Sequence, residues 1–153
     1  MQHAGQMATV SERMKVEPDR VFEVLADGWQ YTGWVVGASH VRAVEPSWPS
    51  VGARIHHSFG VWPLVLRDDT TVEVCDRPSR LVLLANGGPL GQARVEIRLE
   101  PDPAGTRVTM EETVVKGPGQ ALPKPVMDRL IIPRNRESLA RLAALAEQPT
   151  TPD

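Results

Sequence analysis

The chain holds a single cysteine, Cys75. That excludes an internal disulfide and fits a reducing, cytoplasmic setting. Histidine is also scarce: four residues, of which His56 and His57 are adjacent. Neighbours on an extended strand point to opposite faces, so this pair cannot clamp one ion, and no zinc spacing exists elsewhere. The net charge is −2 and no basic stripe runs along the chain, so the electrostatic footprint of a nucleic-acid binder is missing. No apolar run approaches the roughly 18 residues of a membrane span. The first eight residues are polar and lack the apolar centre of a signal peptide. The glycines of Gly87-Gly88-Pro89-Leu90-Gly91 have no following helix or lysine to hold a phosphate, and no Gly-x-Ser-x-Gly elbow marks a nucleophile. No cofactor or metal is expected on these grounds.

What is present is a clear segmentation. The 14 prolines cluster at segment joints, and 153 residues with 41% apolar content suffice for one domain burying about 68–70% of its unfolded surface. Residues 1–8 carry no period and read as a disordered N-terminus, residues 9–148 as the domain, and 149–153 as a tail. The segment Ala121 to Glu147 is the longest amphipathic one. At 100° per residue Met127, Ile131, Leu142, Leu145 and Ala146 form one stripe with Leu139 at its edge, while Arg129, Arg136, Ala140 and Ala144 oppose it. Pro133 lies inside this helix, which must kink or restart there. Asn135 and Ser138 fall on the apolar stripe. Either they bond back to the helix backbone, or they meet another polar group, a water or a ligand.

Upstream, Thr9–Val16 alternates as a half-buried strand, with Glu12 on its apolar side. Pro18 opens a short helix whose apolar face is Val21, Phe22, Val24 and Leu25, closed by Asp27-Gly28. From there to residue 115 the pattern is strand, turn, strand: Ser39–Glu45, Ala53–Phe59, Leu64–Val74, Arg80–Ala85, Ala93–Glu100 and Arg107–Val115. The separators, such as Pro46-Ser47-Trp48-Pro49 and Asp102-Pro103-Ala104-Gly105, are turn chemistry. Val95, Ile97 and Leu99 oppose Arg94, Glu96 and Arg98, the mark of a sheet with one wet and one covered face.

This order, together with Val21-Phe22-Glu23-Val24-Leu25-Ala26-Asp27, Trp34-Val35-Val36-Gly37, Ile55-His56-His57-Ser58, Arg107-Val108-Thr109-Met110-Glu111-Glu112 and Arg134-Asn135, resembles the START-related SRPBCC superfamily. That superfamily includes polyketide cyclase/dehydrase-like and lipid-transport proteins. The resemblance implies an α+β helix-grip fold of the birch-pollen-allergen type. A seven-stranded curved antiparallel sheet would wrap a long C-terminal helix, with two short helices after the first strand. It also implies an apolar cavity between sheet and helix.

Polar residues on the covered face then become the candidates. Glu112, between Met110 and Val114, is either desolvated, held by a cation, or wet if its strand runs past the helix. His57 points inward with Ala53 and Ile55, as a cavity acid or base or as a satisfied packing residue. Asp68 either pairs with Arg67 or Arg42 inside the cavity or belongs to a bulge at Asp68-Asp69. Trp34, Phe59, Trp62, Met110, Ile131, Asn135 and Ser138 complete the expected ligand-binding set, and Tyr31 is a further ring nearby. Three functions follow: binding of a small hydrophobic lipid, polyketide or aromatic metabolite; a cyclase/dehydratase using Glu112 and His57 as acid and base; or an interaction module with a filled cavity. The expected partner is a small hydrophobic molecule, not nucleic acid or a spanned membrane, and the chain is expected to be a monomer or homodimer.

Overall fold

A computed structural model describes residues 7–60, 66–86 and 91–149. Strand β1 (Met7–Met14) leads into helix α1 (Pro18–Ala26), a 3-10 turn (Gly28–Gln30) and the short helix α2 (Tyr31–Trp34). Six strands follow: β2 (Ala38–Val44), β3 (Arg54–Phe59), β4 (Leu66–Asp76), β5 (Arg80–Asn86), β6 (Gln92–Asp102) and β7 (Gly105–Lys116). After a second 3-10 turn (Pro118–Ala121) comes the long helix α3 (Lys124–Ala146). All pairings are antiparallel, in the order β1-β7-β6-β5-β4-β3-β2. The helix-grip arrangement expected from the sequence is the one present.

Each element follows from its residues. In β1, Ala8, Val10 and Met14 are buried while Met7, Thr9, Ser11 and Arg13 are exposed. The strand starts at Met7, so the disordered segment read over residues 1–8 is too long: Met7 pairs opposite Thr113 and Ala8 is buried against the sheet. Helix α1 takes Pro18 in its first turn and buries Val21, Phe22, Val24 and Leu25. Where it ends, the Asp27 carboxylate accepts from the Trp29 N–H. Gly28 is required there, because a Cβ would lie 2.7 Å from a Val44 methyl.

One reading of the middle of the chain needs correction. Asp68-Asp69 is not a bulge: His57 and His56 pair opposite them in continuous register. The irregularity falls between Val72 and Val74 on the β5 side, and beyond it Cys75 lies opposite Leu81. Trp48 lies in the turn expected over residues 46–49, and its side chain is buried at 8% exposure and donates from Nε1 to the Leu25 carbonyl at 3.1 Å.

Helix α3 begins three residues later than its periodicity suggests, after Pro123, and runs without interruption through Pro133. The bond that Pro133 cannot donate belongs to the Arg129 carbonyl. Both residues are exposed, where water can replace it, so the helix does not restart. Its C-terminal half packs Leu139, Leu142, Ala143 and Ala146 into the main core with Val10, Met14, Ile97 and Val108. Its N-terminal half sets Met127 and Ile131 in a smaller cluster with Ala8 and Val114. Burial of each leucine contributes about 1.5–3 kcal/mol. Asn135 and Ser138 lie between the two clusters, at 4% exposure each.

The opposite face of the sheet is wet. Arg80, Glu96, Arg98 and Glu111 form a ladder across β5, β6 and β7, with distances of 3.2, 2.8 and 2.6 Å, and Arg94 meets Glu73 at 2.7 Å. The guanidiniums of Arg80 and Arg98 hold the Glu96 carboxyl below its usual range. Among the described residues no helix is long and apolar enough to cross a membrane.

Candidate functional site

The break between the two apolar clusters of α3 is the site of a partly open cavity of about 90 Å³. By the usual allowance of about 10–15 Å³ per water it has room for several waters or a single ring. Its apolar wall comes from Tyr31, Trp34, Val35, Val36, Leu83, Ala85, Ala93, Val95 and Met110. The alternation of β5, β6 and β7 aims these side chains at α3, while the end of α2 closes the top. His57, Asn86, Glu112, Arg134, Asn135 and Ser138 supply the polar lining.

Glu112 is 6% exposed and both of its oxygens are engaged. Oε2 accepts from Arg134 Nη2 at 2.5 Å, and Oε1 accepts from Asn135 Nδ2 at 3.1 Å. The carboxylate is therefore neither wet nor left alone; a guanidinium and an amide from consecutive residues of α3 hold it. A buried ion of this kind is stable only when paired and hydrogen-bonded, which explains why an amide interrupts the apolar stripe. Ser138 Oγ accepts from the Val36 N–H at 3.1 Å and so ties the end of α2 to α3. Of the two options for Asn135 and Ser138, polar partners outside the helix are the ones realised.

His57 is buried at 3% exposure. Its Nε2 lies 3.0 Å from Thr70 Oγ1, which lies 2.9 Å from the Tyr31 hydroxyl. The Tyr31 ring sits against the imidazole, centroids 5.1 Å apart, and meets Trp34 edge-on. Burial lowers the His57 pKa from its ordinary value, with the Asp68 carboxylate and the Ser58 main chain opposing, so the ring is neutral at neutral pH. Burial also pushes the Tyr31 hydroxyl up to about 12, keeping it a phenol. The wall thus contains one internally neutralised ion pair and one neutral chain of three polar side chains.

The structure brings together Glu112, His57, Trp34, Met110, Asn135 and Ser138 from the expected set. It does not bring in Ile131, which packs at 1% exposure in the Met127 cluster one helical turn away. Asp68 is not among the described lining residues either. It faces His57 across the β3–β4 register, and Arg42 Nη2 reaches its main-chain carbonyl at 3.3 Å. Trp62 and the Phe59 side chain lie outside the described residues. Sequence reasoning missed Arg134, Thr70 and Asn86 as site residues. Arg134 had a usable signal, since it directly precedes a buried asparagine. Among the described residues no cluster of histidine, cysteine and carboxylates is arranged to hold a metal.

No curated protein matches the chain. Solved structures similar to it include a Chromobacterium violaceum protein, 17% identical, with a TM-score of 0.71 and coverage of 94% of this chain and 99% of that one. The di-domain ARO/CYC BexL from the BE-7585A biosynthetic pathway is 19% identical with a TM-score of 0.70; the alignment covers 94% of this chain and 50% of BexL. Ara h 8.0201 is 13% identical with a TM-score of 0.68, covering 92% of this chain and 96% of the other. At such identities these likenesses establish the fold. The sequence model for polyketide cyclase / dehydrase and lipid transport proteins matches residues 6–147, nearly the whole chain, and the chain belongs to that family.

Proposed function

We propose that this protein binds one small, mostly apolar molecule in the cavity between α3 and the sheet, with an oxygen-bearing end against the polar wall. The observation that carries this reading is charge balance: Arg134 offsets Glu112 within the wall and His57 is neutral, so an uncharged ligand meets no uncompensated charge. A cavity of about 90 Å³ is well below the roughly 300–1,000 Å³ of drug-sized sites, which favours a compact ring over a long acyl chain. Native mass spectrometry of the purified protein, followed by denaturing release, tests this directly. A retained apolar metabolite is the expected result, with weaker retention in His57→Gln. A clean apo mass, together with no thermal shift across aromatic and lipid libraries, rejects it.

The presence of ionisable groups inside an apolar cavity favours a second reading, a cyclase/dehydratase in which Glu112 and His57 exchange protons and Asn135 orients the substrate. The di-domain ARO/CYC BexL has the same fold. This reading requires a bell-shaped pH–rate profile that Glu112→Gln abolishes. Full activity in that variant removes Glu112 from the chemistry.

A further inference from the structure

We infer that His57 is a proton-operated latch on the cavity roof: by taking up a proton it breaks the chain Tyr31–Thr70–His57 and frees the α2 turn, so that mild acid opens the site. The latch itself needs no ligand. Only its consequence, faster entry and escape of a bound molecule, rests on the ligand-binding reading above.

The chain has two contacts, His57 Nε2 to Thr70 Oγ1 at 3.0 Å and Thr70 Oγ1 to the Tyr31 hydroxyl at 2.9 Å. Two contacts take up two hydrogens. With a neutral imidazole the three groups carry one hydrogen each, so one is left over whichever way the chain runs. A proton on the ring brings a fourth. Both ring nitrogens then carry hydrogen, and Nδ1 is buried with no hydrogen-bond partner. Nε2–H donates to Thr70, and a hydroxyl hydrogen, that of Thr70 or of Tyr31, is left without an acceptor inside the chain. Thr70 has no exposure and Tyr31 only 5%. In such a place a stranded donor is costly and a stranded charge more so. The closed chain therefore disfavours the charged ring.

The charged and titratable neighbours do not remove the conflict. Burial is the largest influence on the ring and lowers its pKa; Asp68 and Asp69 of β4 oppose it, and Arg42 of β2 adds to it. On the cavity side Glu112 of β7 and Arg134 of α3 are engaged with each other. From α2 comes the Tyr31 phenol. His56, the next residue on β3, points to the opposite face.

Relief comes from the weaker side. Strand β3 is held by both neighbours at His57, opposite Val41 of β2 and Asp68 of β4. Helix α2 is a single turn. Among the described residues, its polar ties across the cavity are the Tyr31 hydroxyl and, just past its end, the Val36 N–H on Ser138. The Tyr31 ring lies against the imidazole, and when it swings away water reaches Nδ1 and the hydroxyls. Tyr31, Trp34, Val35 and Val36 all line the cavity, so that movement opens its roof. At neutral pH the burial of Tyr31 and Trp34 keeps the roof shut. The closed ring titrates below 6.5 and the wetted ring returns toward it, so falling pH favours opening, by up to about tenfold per pH unit between the two values.

Amide hydrogen exchange on the whole ligand-free chain, from about pH 7.5 to about pH 5.5 and so above the ordinary carboxylate range, tests the latch. The amides to read are Val35, bonded to the Tyr31 carbonyl, and Val36, each rate corrected for its intrinsic pH dependence. Their protection is expected to fall about 3- to 10-fold toward acid, while Leu83 and Ile97 in the sheet keep theirs. The fall should vanish in His57→Gln and persist in His56→Gln. In Thr70→Val the roof should already be loose at the upper pH, with little further change. Constant protection of Val35 and Val36 in the parent overturns the latch. So does an equal fall in His57→Gln, or a matching fall at Leu83 and Ile97, which marks loosening of the whole domain. Because no ligand is added, the latch and the ligand-binding reading fail separately.

Discussion

Replacing Arg134 with methionine removes the cation from Glu112 while keeping most of the side-chain volume. The Glu112 side chain is 8% exposed and that of Arg134 is 28% exposed. Removing one partner of a fully buried ion pair costs about 3–5 kcal/mol, because the other charge is left in a medium that solvates it poorly. More than a quarter of Arg134 is already wet, and Asn135 still donates to the stranded carboxylate. The expected loss is therefore about 2–3 kcal/mol, below the figure for a fully buried pair. For a domain of this size such a loss lowers Tm by about 4–12 °C. Glu112→Gln keeps a polar atom for Asn135 and frees Arg134 toward solvent, so it should cost only about 1 kcal/mol. In the double variant neither charge is buried alone, and the cost should fall short of the sum by about 1–2 kcal/mol. Urea unfolding of the four proteins, with unchanged slopes, measures the cycle. If Arg134→Met costs less than about 0.5 kcal/mol, or if the two changes simply add, the pair is not the buried, coupled unit described above.

Other outcomes follow from the same structure. Glu12 has one buried oxygen without a partner, and burial, then Glu147 and Glu137, raises its pKa from 4.5. Because the folded pKa is the higher one, the charge costs stability above pH 4.5 and costs nothing well below it. Glu12→Gln should therefore be more stable than the parent at neutral pH, with the gap closing below pH 4.5 in a series of denaturation curves. His57 titrates in the opposite sense. Its folded pKa lies below 6.5, so as pH falls through that value the unfolded chain takes the proton first. The parent should lose stability there, and His57→Gln should lose less. Leu142→Ala, at a position with no exposure, should cost about 2–5 kcal/mol in the same assay. Arg98→Ala breaks two ladder contacts on the wet face and should stay within about 1 kcal/mol of the parent.

Local periodicity carried most of the fold. Val95, Ile97 and Leu99 alternate with Arg94, Glu96 and Arg98 because one face packs on α3 and the other carries the ion ladder, and that contrast is written into every second residue. Glu112 and His57 were legible for the same reason, as polar residues at covered positions. What escaped depends on distance in three dimensions. Thr70 looks like any strand threonine until β3 and β4 place it between His57 and Tyr31. Arg134 lies on the flank of the helix stripe and reaches the cavity only through the length of its side chain. Trp48 was hidden by turn-forming neighbours, although its indole closes over the end of α1. The bulge near Val74 has no sequence mark, since it exchanges one apolar residue for another on the covered face.

The order of the sheet also sets an order in time. Strand β1 is made before the other described strands, yet among the described residues its neighbour in the sheet is β7, with Met7 opposite Thr113 and Met14 opposite Thr106. Among the described strands none pairs with it until β7 has been made, and α3, which covers both, follows β7. The strands β2 to β6 can zip with their sequence neighbours as they appear. The result is a growing ribbon with an open edge and an uncovered apolar face, waiting for β1 and β7 to meet. A late, long-range closure of this sort is slow and leaves the nascent chain exposed to aggregation. The last turn of α3 helps to settle it: Arg20, from the helix that follows β1, donates to the carbonyl of Ala146, so α1 and the end of α3 are tied where the fold closes.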